Sequence, residues 1–306
     1  LETGSLGGVL TVNPDITRKK DSGISVGGLN GWQPLGITAA AGEELVIYVG
    51  GEGKKTGDVT PLDLVFTQYY AESGGFFQSQ PLKIGRNEIR VPKISSNDME
   101  RGGPLYVQYN GNNSNDNYAV RVSGGVQYPV LSLYQVSDST ERTEKINAYV
   151  QELKAYVSTL KAQHEELHKG SGNDNTAYDY KEAHCVLNTT DIQLDQMMLS
   201  IPASQVLAGL GSSGAETKLA NTTKAMEDML LLFYQHKGLT NSFAEGTSEE
   251  VVNKNHLPYQ YLNIRYMKMF SGAFMYASGN HVGIEWPETK GLMNGVPVQA
   301  DEKGAY

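Results

Sequence analysis

The feature that most constrains this chain is a change of hydrophobic period near residue 135. From Trp32 to about Tyr134 the apolar residues fall in short runs that alternate with polar ones: ELVIYVGG, PLDLVFTQYY, NEIRVPKI, PLYVQYN and YAVRVSGGVQYPVLSLY. Clusters of Gly, Asn and Pro separate the runs. Alternation with a period of two marks strands half-buried on a core, and short strands at this spacing predict an antiparallel β-sandwich. After SDSTERTE the period lengthens. Ile146, Tyr149, Leu153, Tyr156, Leu160 and Leu167 then share one face of a helix expected to end at Lys169 and Gly170.

Beyond that helix the pattern is mixed. A strand is expected through HCVLN, a short helix after Pro202, and a longer helix over AETKLANTTKAMEDMLLLFYQHKG, closed by Gly238. The segment NIRYMKMFSGAFMYASGNHVGIEW reads as helix and strand together. The expected organisation is therefore multidomain: 1–29 a linker or leading strand, 30–136 an N-terminal antiparallel β-sandwich, and 137–306 an α+β unit. A chain of 306 residues is long enough for two cores. The opening LETGSLGG reads as a linker, so the natural chain is expected to begin upstream.

Composition excludes several classes of function. A formal net charge of -9 repels phosphate and anionic headgroups, and there is no local basic patch, so no nucleic-acid partner is expected. No apolar run is long enough to cross a membrane. With Cys185 as the single cysteine there is neither an internal disulfide nor a cysteine zinc cage, and its apolar neighbours predict a buried thiol. The asparagine-rich stretch NGNNSNDN, 110–117, has carboxamides that suit sugar or calcium, but a polar hairpin tip is the commoner use of such a sequence.

One motif demands separate treatment. His164-Glu165-Glu166-Leu167-His168 matches HExxH, which places two imidazoles one turn apart on a helix with a glutamate beside them as general base. Glu182 lies at a distance where a third ligand would be sought, with His184 nearby. Against this, the helix ends at once in KGSG, and Glu166 and Lys169 bring charge into a floor that should be apolar. The alternative is that His168 and Lys169 complement the helix C-terminus at the surface while His164 borders the apolar stripe. On that basis no metal ligand and no catalytic residue is assigned within the chain, and no set of three ligands is expected from its histidines and nearby carboxylates.

A distributed signal is more specific. GWQPLGITAAAGEELVIYVGG (31–51), PLKIGRNEI, RGGPLYVQY, GGVQYPVLSLY, DIQLDQMMLSIPASQVLAG and FSGAFMYASGNHVGIEW occur in an order that resembles the enhancin-like, mucin-degrading zinc metallopeptidases of bacteria. The resemblance covers nearly everything from residue 31 onward. It implies that 137–306 is the front part of a zinc-metallopeptidase catalytic domain, with the HExxH helix and zinc ligands after Tyr306. It implies a secreted hydrolase, extracellular or at the bacterial cell surface, that cleaves mucin-type O-glycosylated proteins together with the remainder of its own polypeptide. The chain by itself would then be inactive. The resemblance also implies an edge strand that pairs with extended substrate, for which 279–286 is the candidate. Gly279, Asn280, His281, Val282, Gly283 and Trp286 are the expected substrate-binding residues. The competing expectations are a non-catalytic glycan-binding or adhesin module, and a complete metallopeptidase built on His164 and His168.

Overall fold

In the computed structural model the described residues are 6–17, 31–69, 75–94, 99–169, 179–257, 262–268, 273–278 and 281–294. Two antiparallel sheets take up the first part. One has the order β1-β8-β3-β6 and the other β5-β4-β7-β2-β9, formed by β1 Leu6–Thr11, β2 Trp32–Ala40, β3 Glu44–Gly51, β4 Val59–Thr67, β5 Phe77–Lys83, β6 Gly85–Arg90, β7 Gly102–Tyr109, β8 Tyr118–Ser123 and β9 Val126–Gln127. Their facing sides form one core. Leu45, Ile47 and Val49 of β3 meet Leu62, Leu64 and Phe66 of β4 across it, each set spaced by two as the pleat requires. The asparagine-rich stretch is the polar tip between β7 and β8. The Tyr109 hydroxyl donates to Asp116 Oδ2 at 2.6 Å, and Asn113 Oδ1 accepts from the Asn115 N–H at 3.0 Å, so the loop binds itself.

The second part is a six-stranded mixed sheet with helices on one face. Its strands are β10 Val130–Ser132, β11 Thr190–Gln193, β12 Met197–Ile201, β13 Leu262–Tyr266, β14 Met275–Ser278 and β15 His281–Ile284, in the order β10-β11-β12-β13-β15-β14. The helices are α1 Ser139–Leu167, α2 Ala203–Leu210, α3 Ala215–His236, α4 Glu249–Asn255, α5 Trp286–Thr289 and α6 Gly291–Asn294. β10 already pairs in parallel with β11, so the YPVLSLY run leaves the first two sheets before the helix begins.

Helix α1 follows its sequence signals closely. Asp138 caps it, its carboxylate accepting from the Glu141 N–H at 2.8 Å. The buried stripe runs Ile146, Tyr149, Val150, Leu153, Tyr156, Leu160 and His164, and all but His164 pack with β10, β11 and β12 residues and α2 in the second core. Helix α3 ends at His236, with Gly238 at φ 77 just beyond it, the left-handed position that glycine fills without steric cost. The expected strand through HCVLN is not one. Glu182–His184 form a single 3-10 turn, and the Asn188 carboxamide donates back to the Glu182 carbonyl at 3.0 Å, a local bond that competes with extended backbone. Cys185 behind it is 1% exposed, and burial pushes its thiol pKa up. Among the described residues of the NIRYM to GIEW segment the elements are strands, apart from the short α5 at its end.

Candidate functional site

The six-stranded sheet has two unlike faces, set by strand alternation. One carries Ile192, Leu199 and Ile264 into the helical core. The other carries Asp191, Ser200, Asn263, Arg265 and His281 toward the first part of the molecule, in register across β11, β12, β13 and β15. There it meets an aromatic cluster of Trp32, Phe76 and Tyr106, with the Trp32 and Tyr106 rings stacked at 5.5 Å. Arg265 is fully buried in this seam. Its guanidinium lies 5.4 Å from the Trp32 ring, 5.6 Å from Phe76 and 5.9 Å from Tyr106, and it donates to Asn263 Oδ1 at 3.0 Å. Asp191, also fully buried, accepts from the hydroxyls of Tyr106 at 2.9 Å and of Tyr128. Burial raises the Asp191 pKa, and the hydrogen bonds to Tyr128, Ser200 and Tyr106 pull it back.

His281 lies at the rim of this face, half-buried, with Nε2 at 2.9 Å from the Tyr276 hydroxyl and its ring 4.8 Å from Phe76. Burial, and then the charge of Arg265, lower its pKa to about 4. The ring is therefore neutral at physiological pH. Below pH 6.5 the unfolded chain takes up a proton that the folded one refuses until pH 4, so stability is full above about pH 6.5 and declines as pH falls toward 4. Comparing urea midpoints at pH 7 and pH 5, His281→Gln should remove about 1–2 kcal/mol of that acid-side loss, the half-exposed ring screening the rest. An unchanged pH slope would place His281 outside the titration.

Of the other expected substrate-binding residues, Gly279 and Asn280 lie outside the described residues. Val282 and Gly283 lie in β15, which is not an edge strand: it is flanked by β13 on one side and β14 on the other. At this end of the sheet the edge strand among the described residues is β14. Gly283 does not leave room for an approaching chain, because a Cβ there would come 2.2 Å from Cε1 of Tyr276. Trp286 packs edge-on against Tyr266 at 5.6 Å, beside Tyr69 and Met99.

The HEELH motif departs further from its expected surface position. His164 is 2% exposed and the His168 side chain 7%, and the two rings lie 4.3 Å apart. Both Nε2 atoms converge on one oxygen, Oε1 of Glu100, with His168 at 2.9 Å and His164 closer. Glu100 is 2% exposed and lies just before β7, and its other oxygen accepts the Val186 N–H at 2.7 Å. Burial raises the Glu100 pKa and lowers that of His164. The donor atoms of Glu100, His164 and His168 all lie within 4.8 Å of one another, a grouping with the composition and spacing that could hold a metal ion. Its third member is neither Glu182, which is exposed, nor His184. The set does not fit hydrolysis. Glu165, the base that such a centre requires, has a side chain 59% exposed and 4.0 Å from Lys161.

Sequence reasoning missed Glu100, Asp191, Arg265 and Tyr276 as members of these clusters. His164 had a usable signal: it stands four residues after Leu160, the next place in the buried stripe. Glu100 had none.

Among the described residues no helix is long and apolar enough to cross a membrane. No protein-family model matches the chain, and no curated protein matches it. Solved structures do. The M60 catalytic domain of Clostridium perfringens ZmpC, in complex with the sialyl T antigen, is similar with a TM-score of 0.67 and 18% identity, over 94% of this chain and 49% of that one. The ZmpB metallopeptidase of C. perfringens gives 0.63 and 21%, over 94% and 50%. The catalytic module of the C. perfringens metalloprotease ZmpA gives 0.56 and 17%, over 95% and 51%. The chain thus spans about half the length of these structures, and, largely β-sheet with a few helices, it has a fold similar to that of part of an M60-like, or enhancin-like, metallopeptidase domain.

Proposed function

We propose that this chain is the scaffold and substrate-cleft portion of a secreted zinc metallopeptidase that cleaves mucin-type O-glycosylated proteins outside the cell or at its surface. The observation that carries the reading is the likeness to metallopeptidase domains over 94% of the chain. In this reading the two facing sheets are a β-sandwich domain, and the six-stranded sheet with its helices is the front of the catalytic domain. The zinc ligands and the general base lie in sequence after Tyr306. Zinc held there would act as a Lewis acid and make a bound water acidic enough to lose its proton near neutral pH.

The residues in hand would bind and orient substrate. An extended peptide gains affinity by adding a strand to an exposed edge, and that role now passes from β15 to β14. The Glu285 N–H donates to the Phe274 carbonyl at 2.9 Å, which makes 274 and 285 a hydrogen-bonded pair in the β14–β15 register. By alternation Tyr276 also points its backbone at β15, while the N–H and C=O of Met275 and Ala277 point outward. His281, neutral and held by Tyr276, is proposed to donate to substrate. Gly279, Asn280 and Trp286 are proposed to contact substrate as well. Glycoprotein substrates are proposed because the similar ZmpC domain was solved with a glycan.

The experiment is a comparison of this chain with a longer polypeptide that continues past residue 306, on an O-glycosylated peptide and its unglycosylated twin, read by mass spectrometry. Cleavage of the glycosylated peptide by the longer protein alone is expected, and Ala277→Pro in it should lower kcat/KM about tenfold or more with the fold intact, since it deletes one outward donor. Glycan binding with no cleavage by the longer protein would instead make this an adhesin-type module.

A further inference from the structure

We propose that Glu100, His164 and His168 bind one zinc ion, which clamps the end of helix α1 to the segment that leads into β7. The donor chemistry is appropriate: two imidazoles and a carboxylate are borderline ligands that suit zinc, with nitrogen and oxygen distances of about 2.0–2.2 Å. The geometry is prepared. His164 and His168 are one helical turn apart and present Nε2 to the same point, and the third donor arrives from a segment 64 residues earlier in sequence. Donors within 4.8 Å of one another need only a small adjustment to surround an ion at those distances.

The carboxylate is held from behind, as metal ligands usually are. Glu100 Oε2 accepts the Val186 N–H at 2.7 Å, and the Glu100 carbonyl accepts from the Gln68 side chain at 2.9 Å, while Gln68 Oε1 takes the Gly102 N–H at 2.9 Å. An ion here would therefore tie together β4 and β7 of the first part, the C-terminal turn of α1, and the turn at Cys185 to Asn188. All three ligand side chains are buried, which suits a structural ion better than one that must admit substrate. The outward Glu165 agrees, since a structural site needs no base. The proposal does not rest on the peptidase reading.

The test uses the 306-residue chain, stripped with EDTA and dialysed. Zinc titrated by calorimetry and counted by elemental analysis should bind with a stoichiometry of one. At a hundredfold excess over Kd it should raise the melting midpoint by about 5 °C or more, reversibly with EDTA. Cobalt in place of zinc should give the visible absorption bands of a low-coordinate nitrogen and oxygen site, a readout that needs no variant. Glu100→Gln keeps the bond to Val186, and His168→Ala leaves the rest of the α1 stripe in place. Each should lower affinity about tenfold or more, whereas Glu165→Gln should change nothing. Substoichiometric zinc with no cobalt bands would overturn the proposal, as would zinc binding that survives both Glu100→Gln and His168→Ala undiminished.

Discussion

Asp191→Ala is expected to destabilise the chain by about 3 kcal/mol or more in urea unfolding, followed through Trp32, which stacks on Tyr106 in the same seam. The carboxylate is fully buried and is the acceptor for two buried hydroxyls, those of Tyr106 and Tyr128. The Tyr106 hydroxyl keeps Ser200 Oγ at 3.2 Å, but the Tyr128 donor loses its acceptor at a cost of about 1–3 kcal/mol, and the lost side chain leaves a void between the two parts of the molecule. Asp191→Asn keeps one acceptor oxygen and should cost less. Tyr128→Phe removes a donor together with its need for a partner, so it should cost about 1 kcal/mol, and the double variant Asp191→Ala, Tyr128→Phe should be less damaged than the sum of the two. Strict additivity, or an Asp191→Ala loss below about 1 kcal/mol, would mean that the hydroxyls find other partners.

What was legible in the sequence was what depends on local period. The strand runs and the stripe of α1 appear because one face of each is buried against a single core, as in β3, whose burial alternates along ELVIYVGG. β7 is buried at every position because it is covered twice: Leu105, Val107 and Tyr109 face the two-sheet core, and Tyr106 faces the seam. That second cover, and with it the polar face of the six-stranded sheet, depends on which segments meet across about 80 residues and leaves no local trace. The same holds for the metal-ligand set. His164 lies in the stripe by its spacing, but it is Glu100, far away in sequence, that turns an apolar-face histidine into one of three converging donors. The position of β15 failed for a related reason. Val282 and Ile284 have the β-branched shape of a strand whether it lies at an edge or inside, and strand order is not written in the strand itself.

Strand order makes the sharpest test of the fold. Val282 stands opposite Ile264 of β13 on one side and Ala277 of β14 on the other. Because Gly283 and His281 direct their backbone bonds to β14 by alternation, the Val282 N–H points to β13, in keeping with the Ile284 carbonyl, which accepts from the Met267 N–H at 2.9 Å. Proline at 282 therefore deletes a ladder bond inside the sheet, leaves a carbonyl of β13 without its donor and forces its ring against a neighbouring strand. A loss of about 3 kcal/mol or more is expected, seen as a melting midpoint lower by about 6–12 °C. Ala277→Pro in the adjacent strand removes an outward N–H from an exposed position and should cost about 1 kcal/mol or less. The difference between the two variants is the measurement, by thermal unfolding under one set of conditions. Val282→Pro melting with the wild type would move β15 to the edge, and equal damage from both would mean that β14 is covered by another part of the polypeptide and cannot receive a substrate strand.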